Sequence, residues 1–272
     1  MPTSTRSTAE QAVARLGMRP LSARSVVASV LMGAQDRGLP TAVLVGVTGL
    51  LGVSEGATRV ALSRMCAEGE ATTHDGRYAL SGSLADYQDR LVVRRWPTLC
   101  DWEGTWRLWI VTQGGRTQED RLTFRKAASG VRLAELAVGS WTRPDNVTGG
   151  LSRRDHERVS AQCQGFSVTP DEDSAALASR LWDLDGWNRR AEQIIDALEH
   201  IHGDLADGDP DVLAPGMVAA AAAVRHASHD PLLPDALRPA GWAAEELRQS
   251  LQRHDSAWQL LLRQRIRERA RG

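Results

Sequence analysis

An α+β chain in three parts is predicted from three observations. Residues 39–80 place two short apolar helices around a tight turn, ahead of two strands joined at Asp75-Gly76. Residues 106–168 alternate strand and helix patterns, and from Asp173 onward the periodicity is helical to the end. With 272 residues, the chain is also long enough for roughly two or three domains.

Taken in order, residues 1–20 are polar and read as a flexible arm. Leu21 to Gln35 makes the first helix, with Ser22 as its cap and Val26, Val27, Val30 and Leu31 inward. In the next helix Val43, Leu44, Val47 and Leu50 share a buried face. Gly52-Val53 breaks that run, and Ser54 can cap a new helix whose inward stripe is Ala57, Ala61, Leu62 and Met65. Its opposite face carries Gly56, Arg59, Val60 and Ser63, with Arg64 at the edge. Gly69 stops the helix, and Asp75-Gly76 demands a two-residue hairpin. Together these predict a winged helix-turn-helix over 21–96, completed by a connecting helix from Leu84 to Arg95.

Trp96-Pro97 marks the boundary to a middle domain, 97–170. Trp106 to Thr112 reads as a buried strand, Thr117 to Ala128 as a helix, and Leu136-Ala137-Val138 as a second strand. Leu151 to Ser160 is helical and Gln164 to Val168 extended, an order that suggests a small α+β domain of ferredoxin-like type. The remainder, 171–272, reads as all-helical: Ala176 to Trp182, Trp187 to His202, Met217 to Ala227 and Trp242 to Arg269. A loop from Asp204 to Pro215 and an extended turn at His229 to Pro234 interrupt these helices.

The helix face and hairpin suggest double-stranded DNA as partner. A second helix of this kind can lie in a major groove, where Arg59 and Arg64 reach phosphate or guanine and Ser63 lets the backbone come close. Thr73, His74 and Arg77 would set the wing against the adjacent backbone, Arg24 could touch phosphate, and Ser54 stands at the helix start. Net charge is −1, but residues 1–96 hold 11 Arg against 8 acids, whereas the rest holds 22 basic against 26 acidic residues. The basic excess thus sits with the helix-turn-helix and is small, so nonspecific affinity is modest and a dimer would compensate. A winged helix used only as a scaffold for a protein complex is the alternative.

Other classes are narrowed by what the sequence lacks. No run approaches the ~18 apolar residues of a membrane helix, and residues 1–19 have no signal-peptide core, so no membrane partner and a cytoplasmic location are expected. Cys66, Cys100 and Cys163 are odd in number and without a CxxC pair, which points to reduced thiols. His200, His202, His226 and His229 read as ordinary surface histidines, so no metal ligands are assigned. No phosphate-binding glycine loop and no nucleophile motif is found; no catalytic residue and no cofactor are expected, and the chain is read as a non-enzyme.

Five motifs, in order, resemble the PaaX-type transcriptional regulators, the family named for the repressor of phenylacetate degradation. They are Ser22-Ala23-Arg24-Ser25; Gly52-Val53-Ser54-Glu55 with Ala61-Leu62-Ser63-Arg64-Met65; Trp102-Glu103-Gly104-Thr105-Trp106; Leu181-Trp182-Asp183-Leu184; and Asp230-Pro231-Leu232-Leu233-Pro234 followed by Leu237 to Trp242. The resemblance implies the same three parts, with the middle one similar to a CRISPR-associated endoribonuclease. It also implies a homodimer that represses aromatic-acid catabolism genes and is released by an aryl-acyl-CoA such as phenylacetyl-CoA. The sequence departs from the pattern at Asp145 to Asp155 and in the Ala-rich stretch Ala219 to Ala223.

An acyl-CoA effector needs cations for its phosphates and an apolar slot. Trp187, Arg189 and Arg190, or Arg238 and Trp242, could supply these. A metal-dependent nuclease of the implied middle fold would want an acid at the end of its first strand. That end reads Ile110-Val111-Thr112-Gln113-Gly114, and the nearest acids are Glu119 and Asp120, so a nuclease is the least favoured alternative.

Overall fold

The structure, a computed structural model, describes residues 8–18, 20–33, 38–82, 84–85 and 97–271. The expected connecting helix from Leu84 to Arg95 lies outside the described residues beyond position 85. The chain is mixed α and β with a helical C-terminal region, and divides into two compact units. One comprises 1–89, 192–224 and 246–272; the other comprises 90–191 and 225–245. Residues 171–272 therefore do not stand as a body of their own, because their helices contribute residues to both units.

The first unit opens on α1 (Thr8–Arg15) and α2 (Ala23–Gly33). Residues 8–16 correct the expectation of an arm: Ala9, Ala12, Val13 and Leu16 are buried at the spacing of one helix face, so apolar burial orders a segment that looked merely polar. After β1 (Leu39–Pro40) come α3 (Thr41–Leu50) and α4 (Glu55–Ala67), then β2 (Ala71–His74) and β3 (Arg77–Leu80). The three strands form an antiparallel sheet in the order β1-β3-β2. Asp75 and Gly76 both sit at positive φ, 49° and 71°, as the two-residue hairpin requires.

Val27, Leu31, Leu44, Leu62 and Met65 pack into one core with Ala28, Ala61 and Ala71. Val43, expected inward, is 41% exposed; Thr48 takes the inward face instead and meets Thr58 across a buried hydroxyl pair, Oγ1 to Oγ1 2.7 Å. One hydroxyl donates across the pair and the other donates to a carbonyl of its own segment, Leu44 O at 2.8 Å from Thr48 Oγ1 or Ser54 O at 3.0 Å from Thr58 Oγ1. A pair satisfied in this way ties α3 to α4 without an unpaired buried group.

The middle of the second unit is built from β4 (Thr98–Leu99), β5 (Trp106–Val111), α5 (Gln118–Gly130), β6 (Ala134–Ala137), β7 (Ser140–Pro144), β8 (Val147–Gly149), α6 (Arg153–Ser160) and β9 (Cys163–Val168). Four of these strands form one antiparallel sheet, order β6-β7-β5-β9, and β4 pairs with β8. Where the sequence predicts one strand at Leu136-Ala137-Val138, the structure has two, β6 and β7, with Val138, 99% exposed, and Gly139, at φ 80°, forming the turn between them. Trp109 and Trp141 are cross-strand neighbours, and both join Phe124, Ala127, Ala128 and Val159 in a core under α5 and α6. On the other face Trp106 packs with Leu177, Leu184, Leu233 and Leu237.

The remaining helices are α7 (Ser174–Leu181), α8 (Leu184–Ala206), α9 (Leu213–Ala227) and α10 (Ala244–Arg271). The loop expected from Asp204 to Pro215 is shorter than its Asp, Gly and Pro content suggests. Helix α8 runs on to Ala206, Pro210–Val212 is a 3-10 turn capped by Asp209, and Pro215 sits in the first turn of α9, where its missing N–H has no helical partner to lose. No described helix is long and apolar enough to cross a membrane.

Candidate nucleic-acid interface

Helix α4 starts where its residues allow. The Ser54 hydroxyl accepts from the Ala57 N–H at 3.3 Å, and Gly52, at φ 78°, lets the chain leave α3 and turn. The helix ends at Ala67, followed by Gly69 at φ 71°. Burial of Thr58, Ala61, Leu62 and Met65 turns the opposite face outward, so Gly56, Arg59, Val60, Ser63 and Arg64 are all exposed, Val60 by 51%.

The cations on this face differ in what holds them. Arg59 donates through Nε and Nη2 to Glu55 Oε1, at 2.9 and 2.7 Å, one helical turn earlier. Arg64 is exposed and has no ion-pair partner among the described residues. In the hairpin Thr72, Thr73 and His74 are exposed, with His74 Nδ1 3.1 Å from Asp75. Arg77 is also exposed but donates through Nη2 to Gly38 O at 2.9 Å, which fastens the hairpin to the start of β1. Arg24 points elsewhere: its guanidinium is bidentate on the Glu70 carboxylate, which raises its pKa further above the ordinary value. That pair joins α2 to the entry of β2, so Arg24 serves the fold of this unit. Of the eight residues predicted for DNA contact, Arg59, Ser63, Arg64, Thr73 and His74 present their side chains outward, while Ser54, Arg24 and Arg77 are engaged in holding those elements together.

The residues predicted for an effector lie in the second unit and come together only in part. Trp187 stacks on Trp242 at 4.4 Å and on His226 at 4.6 Å, so the tryptophans of the two alternative effector sets share one three-ring stack. His226 Nε2 lies 2.9 Å from Trp187 O, and burial lowers its pKa. Arg238 is committed to the backbone and to Asp235, with Nε 2.6 Å from Leu233 O and Nη1 2.6 Å from the carboxylate. Arg189 is exposed and Arg190 half-buried. Rings that satisfy one another leave little of their faces for a ligand.

A cleft that sequence reasoning missed lies between α5 and the β6–β7 hairpin. Its cavity is about 650 Å³, and Arg116, Arg121 and Arg125 stand around an apolar wall of Val111, Phe124 and Trp141. Arg116 lies over the Phe124 ring at 5.2 Å and Arg125 pairs with Glu135 at 3.3 Å. Arg121 and Arg125, four apart on α5, were the available signal, since that spacing puts both on one face. Asp120, named above as a nearby acid, closes the capping box of α5 with Thr117, whose hydrogen bonds hold its carboxyl below the ordinary value. Among the described residues no group of three or more His, Cys, Asp or Glu stands close enough to hold a metal ion.

No protein-family model matches this chain, and no curated protein matches it. Among solved structures it is similar to the uncharacterized protein Rv0674 from Mycobacterium tuberculosis. The two share 33% identity, over 90% of this chain and 99% of that one, with a TM-score of 0.65.

Proposed function

This chain belongs to the same family as Rv0674, and we propose that it is a DNA-binding transcription regulator of cytoplasmic location, acting as a homodimer. In this reading α2, α3, α4 and the sheet β1-β3-β2 are a winged helix-turn-helix. The alternation β5-α5-β6-β7-α6-β9 is a ferredoxin-like domain. The observation that carries the proposal is the outward face of α4. Small residues at Gly56 and Ser63 permit close approach, Arg59 and Arg64 supply guanidinium groups, and Val60 is an apolar contact of the kind that meets a thymine methyl.

The regulator represses aromatic-acid catabolism genes, as its resemblance to the PaaX type implies, and an aryl-acyl-CoA releases it. The cleft lined by Arg116, Arg121 and Arg125 suits that effector better than the Trp187–Trp242 stack, because it joins cations for phosphate to an aromatic slot. Release is a population shift: an effector that binds one dimer geometry more tightly moves the two heads away from half-site spacing.

The experiment is binding to the duplex upstream of its own gene at a fixed ~100 mM salt, with and without phenylacetyl-CoA. Specific binding is expected, weakened at least tenfold by Arg64→Ala and abolished by the thioester. The Arg121→Ala variant should keep the DNA and lose the response. Absence of specific binding overturns the proposal.

A further inference from the structure

A second cavity lies wholly within the first unit, among residues that the DNA-contacting face does not use. It has a volume of about 450 Å³, inside the ~300–1,000 Å³ range of small-molecule sites. Its walls come from α1, from the start of α2, from the first turn of α9 and from Leu51-Gly52-Val53. Those last three residues are the turn that sends the chain from α3 into α4, ending one residue before the Ser54 cap.

The chemistry of the walls is one-sided. Met18, Leu51, Val53, Met217 and Val218 present apolar atoms, and the two methionines are side chains that adapt to the shape of an occupant. Glu10 is the one ionisable residue among the described lining residues, and it is acidic. Among the described lining residues no Lys, Arg or His side chain is present to pair with an anion, and the mainly apolar walls disfavour a charge. This cavity therefore selects against the phosphates and carboxylates that the arginine-lined cleft of the second unit favours.

We propose that the cavity is a binding site for an uncharged, apolar small molecule, and that its occupant sets the DNA affinity of α4 through the Leu51-Gly52-Val53 turn. The coupling half rests on the DNA-binding reading; the binding half does not. An occupant touches α1, α9 and the turn together, so it binds most tightly to one orientation of α4 and shifts the population toward it. A coupling of this kind changes affinity by about 5-fold or more.

The test uses the full chain and Nile red, an uncharged dye whose emission rises in apolar surroundings. The dye should bind, and 1-naphthalenemethanol should displace it at least tenfold better than 1-naphthoate, which has the same rings and a negative charge. Ala214, half-buried in the first turn of α9 and part of the lining, is the place to fill the cavity. Ala214→Trp should weaken dye binding at least tenfold; an unchanged signal overturns the site. Should that variant not fold, the exposed Glu10 supplies the second arm. Glu10→Lys should bring 1-naphthoate within threefold of the alcohol, and a discrimination left at tenfold overturns the assignment of ligand charge. Saturating 1-naphthalenemethanol should then change upstream-duplex affinity at least 5-fold in the natural chain. DNA binding that ignores the bound alcohol overturns the coupling. A chain that binds the alcohol but no DNA overturns the regulator reading and leaves the site standing.

Discussion

Replacing Glu55 by Ala should weaken the fold slightly and strengthen DNA binding, two effects of opposite sign from one side chain. Glu55 opens α4 and holds Arg59 at 2.7 Å, with the two side chains 59% and 60% exposed. An exposed pair one turn apart is worth about 0.3–0.5 kcal/mol, and a carboxylate at a helix start about 0.3–1 kcal/mol. Alanine returns a few tenths through its helix propensity, so a net loss of about 0.5 kcal/mol is expected. In the proposed contact of α4 with DNA the balance reverses. A carboxylate about 7 Å from a phosphate in water is repelled by about 0.6 kcal/mol, and Arg59 no longer has to leave a partner. Together these give about 1 kcal/mol, or roughly fivefold tighter binding per head. Urea denaturation reads the first effect, and fluorescence anisotropy of the upstream duplex at two salt concentrations reads the second. An affinity that falls, with stability shifted as expected, would refute the placement of the α4 face on DNA.

Three further outcomes test other parts of the structure. At Gly56 an added Cβ meets nothing within 4 Å, so Gly56→Ala should raise stability by up to about 1 kcal/mol while its methyl, on the outward face of α4, lowers DNA affinity about tenfold. Gly38 has φ +55°, and a Cβ there would stand 2.7 Å from Tyr78 O; Gly38→Ala should cost at least about 2 kcal/mol in urea denaturation, since both the backbone and the β1–β3 pairing resist it. His254 is 1% exposed, with Nε2 3.0 Å from Gly216 O, and burial lowers its pKa. The unfolded chain therefore takes up this proton first. Stability should be full above about pH 6.5 and fall below it, by no more than about 1.4 kcal/mol per pH unit. His254→Gln should flatten that acid limb in denaturation measured from pH 7.5 to 5.

The extent of each helix in the first unit was legible where capping and apolar spacing agree: Ser54, Gly69 and the Asp75-Gly76 turn stand where the residues place them. The strand Trp106 to Val111 was legible for a similar reason, because its aromatic and β-branched residues suit a pleated, half-buried surface. Local sequence did not divide β6 from β7, since Leu136, Ala137 and Val138 read together as extended although Val138 belongs to the turn. It also could not order residues 8–16, whose four buried residues find a partner surface only in the folded unit. The cations show the same division most clearly. Arg24, Arg59, Arg64 and Arg77 are equal as letters, yet Glu70 engages the first, Glu55 the second and Gly38 O the last. Residue type and local spacing determined which elements form and which face each buries, because those depend on contacts a few residues apart. The partners of Arg24 and Arg77, and the closing of two cavities that differ in their ionisable lining residues, depended on residues distant in the chain, so only tertiary structure decided them.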